Sequence, residues 1–152
     1  MRKLGLDLGT KTCGFAITDL DEIIATSLEN YHFSENDFEQ ALLQVEHYLS
    51  VYNNKIDGIV LGYPLKISGD KSERTLMVEA FRLKLIERFN LPVMLVNEQY
   101  STKRATEVML NAGLTRQKRK NHKDKLAAQI ILQDYLEYYK NKWDLLKDGR
   151  IQ

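Results

Sequence analysis

Hydrophobic positions alternate with polar or side-chain-free ones at the start of the chain: in Lys3–Thr10, Leu4, Leu6 and Leu8 interleave with Gly5, Asp7 and Gly9. A period of two marks a strand, so the leucines share one face and Asp7 stands on the other between two glycines. Gly9–Gly14 then predicts a tight turn into a second strand at Phe15–Asp19. Asp19–Glu22 predicts the next turn, before a third strand that starts at Ile23 and ends at Leu28 or Tyr31. Short strands on tight turns predict an antiparallel meander.

The period then changes. Phe38, Ala41, Leu42, Val45, Tyr48, Leu49 and Tyr52 fall at helical spacing. Ser34 with Asp37 three residues on resembles a capping box at its start, and Asn53–Asn54 suit its stop. Ile56–Gly62 is a short apolar run, a buried strand that Pro64 ends because proline cannot donate to the ladder. Lys66–Lys71 is a polar loop turning at Gly69. Ser72 or Asp70 can cap a helix over Glu73–Phe89, whose stripe is Met77, Val78, Phe81, Leu85 and Phe89. Leu91–Val96 predicts another buried strand. Ser101 or Thr102 opens a third helix closed by Gly113, and a last, largely buried helix runs from about His122 to about Tyr139. In the charged tail, Trp143 and Leu145–Leu146 are the residues suited to fold back.

The order β-β-β-α-β-α-β-α-α predicts an α/β fold. Its sheet is mixed and five-stranded, a three-strand antiparallel meander plus two parallel strands, flanked by helices. One domain over residues 1–140 is expected, followed by a charged tail at 141–152. The binding crevice of such a sheet lies beyond the strand ends, where the connections diverge.

Composition narrows this little. With 43% hydrophobic and 28% charged residues the 152-residue chain is globular, and 22 basic against 21 acidic residues leave a net charge of +1. Whole-chain charge therefore does not mark a nucleic-acid binder; only its distribution could. The lone Cys13 cannot close an internal disulfide, which points to a reducing cytoplasm, and it suits a core position better than a catalytic thiol. No run reaches the roughly 18 apolar residues of a membrane span, and the N-terminus leads into a strand, so a soluble protein without a membrane partner is expected.

Three carboxylates occupy positions from which a side chain can reach the crevice. They are Asp7 in the first strand, Glu98 just past the last, and Asp124 in the first turn of the last helix. An aspartate in so apolar a strand needs a partner: either a metal ion or backbone donors at a bend. Glu98 and Asp124, taken singly, are equally explained by the favourable field at a helix N-terminus. Taken together, two or three carboxylates are what Mg²⁺ or Mn²⁺ requires. Two such ions about 4 Å apart can activate a water and stabilise a departing phosphodiester oxygen. Neither histidines nor cysteines show zinc spacing. Around Asp124 lie Arg116, Lys118, Arg119, Lys120, Lys123 and Lys125, with Lys103 and Arg104 on the preceding helix. They form either a solvated basic loop or a seat for a phosphate backbone. His122 and His47 read as surface histidines.

Four motifs in order then resemble the YqgF family (RuvX-like, or Holliday-junction-resolvase-like, proteins) of the ribonuclease H-like superfamily. They are Gly5-Leu-Asp7-Leu-Gly9-Thr10-Lys11; Gly62-Tyr-Pro64-Leu65 with Gly69; Asn97-Glu98-Gln99-Tyr-Ser101-Thr102; and Lys123-Asp124-Lys-Leu-Ala127-Ala128 running on to Tyr135. The resemblance spans roughly residues 1–140. It implies a ribonuclease H-like fold and a nuclease with Asp7, Glu98 and Asp124 as catalytic, metal-holding triad for Mg²⁺ or Mn²⁺. It further implies nucleic-acid contacts from Thr10, Lys11, Lys103, Arg104, Arg116, Lys118, Arg119, Lys120 and Lys123. The implied role is maturation of the 5′ end of pre-16S ribosomal RNA, with ribosomal particles as partners; cutting of branched DNA at Holliday junctions is the alternative. The family pattern Asp-Glu-Arg is here Asn97-Glu98-Gln99, which removes a cation, and Lys125 stands where a small residue is usual. Two other classes remain open. Asp-x-Gly-Thr also resembles the first phosphate loop of actin-like ATPases and sugar kinases, which need a second lobe. A non-catalytic RNA-binding assembly factor could keep the same fold. A monomer or weak homodimer is expected, since no dimer face is evident.

Overall fold

The computed structural model of the chain describes residues 1–65, 68–97, 113, 115 and 126–143. Five strands form one sheet: β1 (Arg2–Leu8), β2 (Thr12–Thr18), β3 (Ala25–His32), β4 (Ile56–Tyr63) and β5 (Val93–Asn97). Their spatial order is β3-β2-β1-β4-β5. β1 runs antiparallel to β2 and β2 to β3, whereas β1–β4 and β4–β5 are parallel. The mixed sheet is thus the one the element order predicts. Its parallel half places the C-terminal ends of β1, β4 and β5 at a single edge.

Each face has its own core. Leu4, Leu6 and Leu8 pack with Ala41, Leu42 and Val45 of α1 (Phe38–Val51) and with Val78, Phe81 and Leu85 of α2 (Glu73–Phe89). The other face, with Ala16, Val60, Met94 and Val96, is covered by Ala128, Ile131, Leu132 and Tyr135 of the C-terminal helix. That helix is α-helical over residues 126–134 and continues as a π-helical turn, Tyr135–Tyr139. Burial of each leucine stabilises by about 2 kcal/mol, so the alternation at the start of β1 orients the whole sheet.

Several boundaries move, each for a physical reason. β2 starts at Thr12 rather than Phe15, because the Gly9 amide donates to the Thr12 carbonyl at 2.7 Å and leaves only Thr10 and Lys11 in the loop. β3 starts at Ala25 rather than Ile23. The amides of Ile23 and Ile24 donate to Asp19 Oδ1 at 2.6 and 2.9 Å, and Glu22 takes a φ of 53°, so both isoleucines stay in the turn. α1 is entered through Asp37, not Ser34. Asn36, at φ 62°, donates to Thr10 O at 2.7 Å and Phe33 donates to Lys11 O at 2.9 Å, which ties this segment to the β1–β2 loop. β5 starts at Val93, since proline offers no ladder donor at position 92. The predicted third helix lies outside the described residues; beyond Asn97 and before residue 126, only Gly113 (φ 72°) and Thr115 are described.

Trp143 does fold back, while Leu145 and Leu146 lie outside the described residues. Its indole N–H donates to Tyr135 Oη at 2.7 Å, and Tyr135 in turn donates to Glu22 Oε1 at 2.7 Å. Lys3 Nζ lies 3.2 Å from Glu22, 2.6 Å from Asp57 and 5.5 Å from the centre of the Trp143 ring. Lys3 is buried, its partners less so, so the pair is screened on one side only. Removing a buried cation from carboxylates that stay behind is costly. Lys3→Ala is expected to lower stability by about 2 kcal/mol in urea denaturation, discounted from the fully buried case for Asp57's exposure.

Candidate active site

Asp7 is the penultimate residue of β1, and its position in the ladder leaves its carboxylate room. It pairs with Gly14 of β2, and on the β4 side its neighbour Leu6 pairs with Leu61, after which comes Gly62. Neither flanking glycine has a side chain to crowd it. Asp7 shares a face with Gly5, two residues back. A Cβ at Gly5 would lie 3.1 Å from Leu132 Cβ and 3.4 Å from the Ala128 carbonyl oxygen, so the C-terminal helix rests directly on this strand. Ala128 makes that approach possible.

The helix has a direction. Ala128 and Leu132 sit over Gly5, while Trp143 reaches Lys3 and Gly58 at the other end of the strands. Followed backwards from residue 132, it therefore runs toward the end of β1 that carries Asp7. At the same edge β5 ends with Asn97 paired to Tyr63. Glu98 is the next residue in the chain, and Asp124 precedes the described helix by two positions. Both lie outside the described residues, as do Lys103, Arg104, Arg116, Lys118, Arg119, Lys120 and Lys123. Among the described residues no three acidic, histidine or cysteine side chains come together as a metal-holding group. Thr10 and Lys11 are exposed in the β1–β2 loop, three and four residues beyond Asp7 and at the same edge.

An arginine from the other side of the sheet joins Asp7. Arg74 Nη2 donates to Asp7 Oδ1 at 3.1 Å and to the Leu8 carbonyl at 3.2 Å, and its Nε lies 3.4 Å from the same carbonyl. The start of α2 is pinned to make this reach possible. Ser72 and Thr75 cap one another, and Thr75 Oγ1 donates at 2.6 Å to the carbonyl of Pro64, where β4 has just ended. The first turn of α2 is thereby held beside the C-terminal ends of the parallel strands. The Asp7 side chain is 21% exposed and that of Arg74 45%, so the pair sits at a rim open to water.

Comparison with known proteins decides the family. The family model described as "RuvX: Holliday junction resolvase" matches residues 1–138. The chain belongs to the RuvX family. A Ureaplasma parvum serovar 3 protein named "Putative pre-16S rRNA nuclease" is 44% identical over 141 residues, covering 90% of this chain and 96% of that one. A protein of the same name from Mycoplasmopsis pulmonis is 41% identical over 140 residues, 91% and 94% of the two chains. Among solved structures, Thermus thermophilus RuvC in complex with a Holliday junction superposes with a TM-score of 0.52 at 16% identity, over 100% of this chain and 98% of that one. The free T. thermophilus RuvC gives 0.51 at 15% identity. At that identity the likeness concerns the fold alone.

Within this RuvX-family chain Cys13 is a fully buried free thiol in the core. Burial, with the carboxylates of Asp7 and Glu29 adding to it, pushes its thiol well above the ordinary value. The native protein is expected to resist an aromatic disulfide reagent for as long as it stays folded, and to react with one equivalent on denaturation; rapid native labelling would contradict this. Arg74 is the residue beside Asp7 at this candidate site that sequence reading missed. A signal was there: a cation in the first turn of a helix opposes the macrodipole and needs an anionic partner to sit there.

Proposed function

We propose that this chain is a divalent-metal-dependent phosphodiesterase acting on structured RNA, with the 5′ region of pre-16S ribosomal RNA as substrate. Residues 1–140 would form the nuclease unit, working as a monomer or weak homodimer, with 141–152 as an accessory tail. The reading is supported by relatives named as pre-16S rRNA nucleases at 44% and 41% identity. The observation that carries it is the position of Asp7. It stands at the edge where β1, β4 and β5 all end, two residues beyond the glycine on which the C-terminal helix rests, with Gly14 opposite it on β2.

Asp7 offers oxygen donors to a partly open rim, which fits a hard ion such as Mg²⁺ or Mn²⁺. Glu98 and Asp124 are proposed as the further carboxylates, on their positions in the chain next to that edge. When bound, the metal supplies Lewis-acid stabilisation and a water activated near neutral pH. The chain's own part is to fix the Asp7 carboxylate at the strand end, where Arg74 donates to it. Thr10, Lys11, Lys103, Arg104, Arg116, Lys118, Arg119, Lys120 and Lys123 are proposed to hold the phosphate backbone, through contacts that weaken with salt.

The test is cleavage of a pre-16S 5′ fragment and of a four-way DNA junction, side by side, in Mn²⁺, Mg²⁺ or chelator. Metal-dependent cutting of the RNA is expected. Cutting of the junction alone would transfer the activity to DNA, and tight RNA binding with no cutting would make this chain a binding factor.

A further inference from the structure

We propose that Arg74 is a charge-exchange residue. It neutralises Asp7 while no divalent cation is bound, and turns to a phosphate of the nucleic acid when one is. The inference rests on the metal reading of Asp7 given above and adds to it a residue of α2 that no family motif in the sequence singled out.

The geometry supplies the reasons. The Arg74 guanidinium donates to Oδ1 of Asp7 at 3.1 Å, the side chain through which a metal would be held. A divalent ion and a guanidinium repel one another when both lie against one carboxylate, so each lowers the affinity of the other. Arg74 has somewhere to go. Its side chain is 45% exposed, and it leaves the first turn of a helix whose start is fixed independently by Ser72, Thr75 and the Pro64 carbonyl. A change of side-chain rotamer therefore moves the cation and leaves the backbone in place. The planar fork that now spans Asp7 and the Leu8 carbonyl also matches a pair of phosphate oxygens. Lysine would keep the charge and lose that match.

The consequence is a coupling. In the free protein Arg74 competes with the metal for Asp7. Once a phosphate is at hand, Arg74 has an alternative anion, and the competition ends. Metal and nucleic acid then favour one another's binding, and by linkage each does so by the same factor. Metal alone is held weakly, and hydrolysis is confined to moments when substrate is present.

The experiment is Mn²⁺ titration without nucleic acid, followed by electron paramagnetic resonance of the free ion, on wild type, Arg74→Gln, Arg74→Lys and Asp7→Asn, with thermal unfolding as the control for folding. Arg74→Gln is expected to bind Mn²⁺ more tightly, by roughly 5- to 20-fold, at the lower end of ordinary coupling between sites. Arg74→Lys should stay close to wild type in Mn²⁺ affinity, and Asp7→Asn should lose the site. Both Arg74 variants should cut RNA more slowly at saturating Mn²⁺. A metal affinity that is unchanged or weaker in folded Arg74→Gln, while wild type binds Mn²⁺, overturns the exchange alone. Absence of Mn²⁺ binding by wild type overturns the exchange and the metal reading together. Should Arg74→Gln unfold, Arg74→Met is the second uncharged variant, read in the same way.

Discussion

Asp7→Asn is expected to lower metal-dependent cleavage by at least about a thousandfold, the scale on which single transition-state-stabilising groups act. Stability should barely change. Asparagine keeps the shape, and its carbonyl can still accept from Arg74, while a rim-exposed ion pair is worth about 1 kcal/mol or less. Affinity for RNA in chelator should remain within about threefold, because the proposed phosphate contacts come from other residues. The measurement is single-turnover cleavage with Mn²⁺, alongside urea denaturation and filter binding. A variant that cuts at more than a tenth of the wild-type rate would remove Asp7 from the metal site, and with it the reading of this edge as catalytic. The result also separates enzyme from binding factor, since only an enzyme should lose so much while still holding its RNA.

The second large effect is structural and reaches the site from one layer away. Gly5→Val is expected to destabilise the protein by about 3 kcal/mol, the upper part of the usual range for overpacking a filled core. A valine would put a Cβ 3.1 Å from Leu132 Cβ and 3.4 Å from the Ala128 carbonyl, before its two methyl groups are counted. The side chain of Leu132 can yield by changing rotamer; the carbonyl is backbone and moves only with the helix. Relief therefore means lifting the helix off β1 near the end that carries Asp7. In urea the midpoint should fall with the slope unchanged, and what remains folded should cleave more slowly per folded molecule. A variant of wild-type stability and rate would show that the helix does not bear on the strand at this point.

Much of this was legible in the chain because it is local. The leucines of β1 declare a strand and its buried face, and Ser72, offered with Asp70 as a cap, marks the start of α2 at the first residue the structure assigns to it. The two asparagines after α1 and Gly69 each take the left-handed φ that their type tolerates. Errors of a few residues fell where a specific hydrogen bond competed with the preference of the residue type. Ser34 is a better cap by type than Asp37, yet hydrogen bonds from Phe33 and Asn36 to the β1–β2 loop decide where α1 begins. Ile23 and Ile24 favour a strand by type, yet the Asp19 carboxylate captures their amides.

The sequence by itself determined which residue types could do chemistry, and that a carboxylate would stand alone on one face of β1. Alternation and side-chain chemistry require nothing beyond near neighbours along the chain. Only the tertiary structure decided what surrounds Asp7 at its end of the sheet. That depends on β1, β4 and β5 ending at one edge and on the direction of the helix over Gly5, both set by packing between segments far apart in sequence. Only the tertiary structure brought Arg74 to Asp7 across 67 positions of chain, because an ion pair at that separation is made by the fold and leaves no periodic trace.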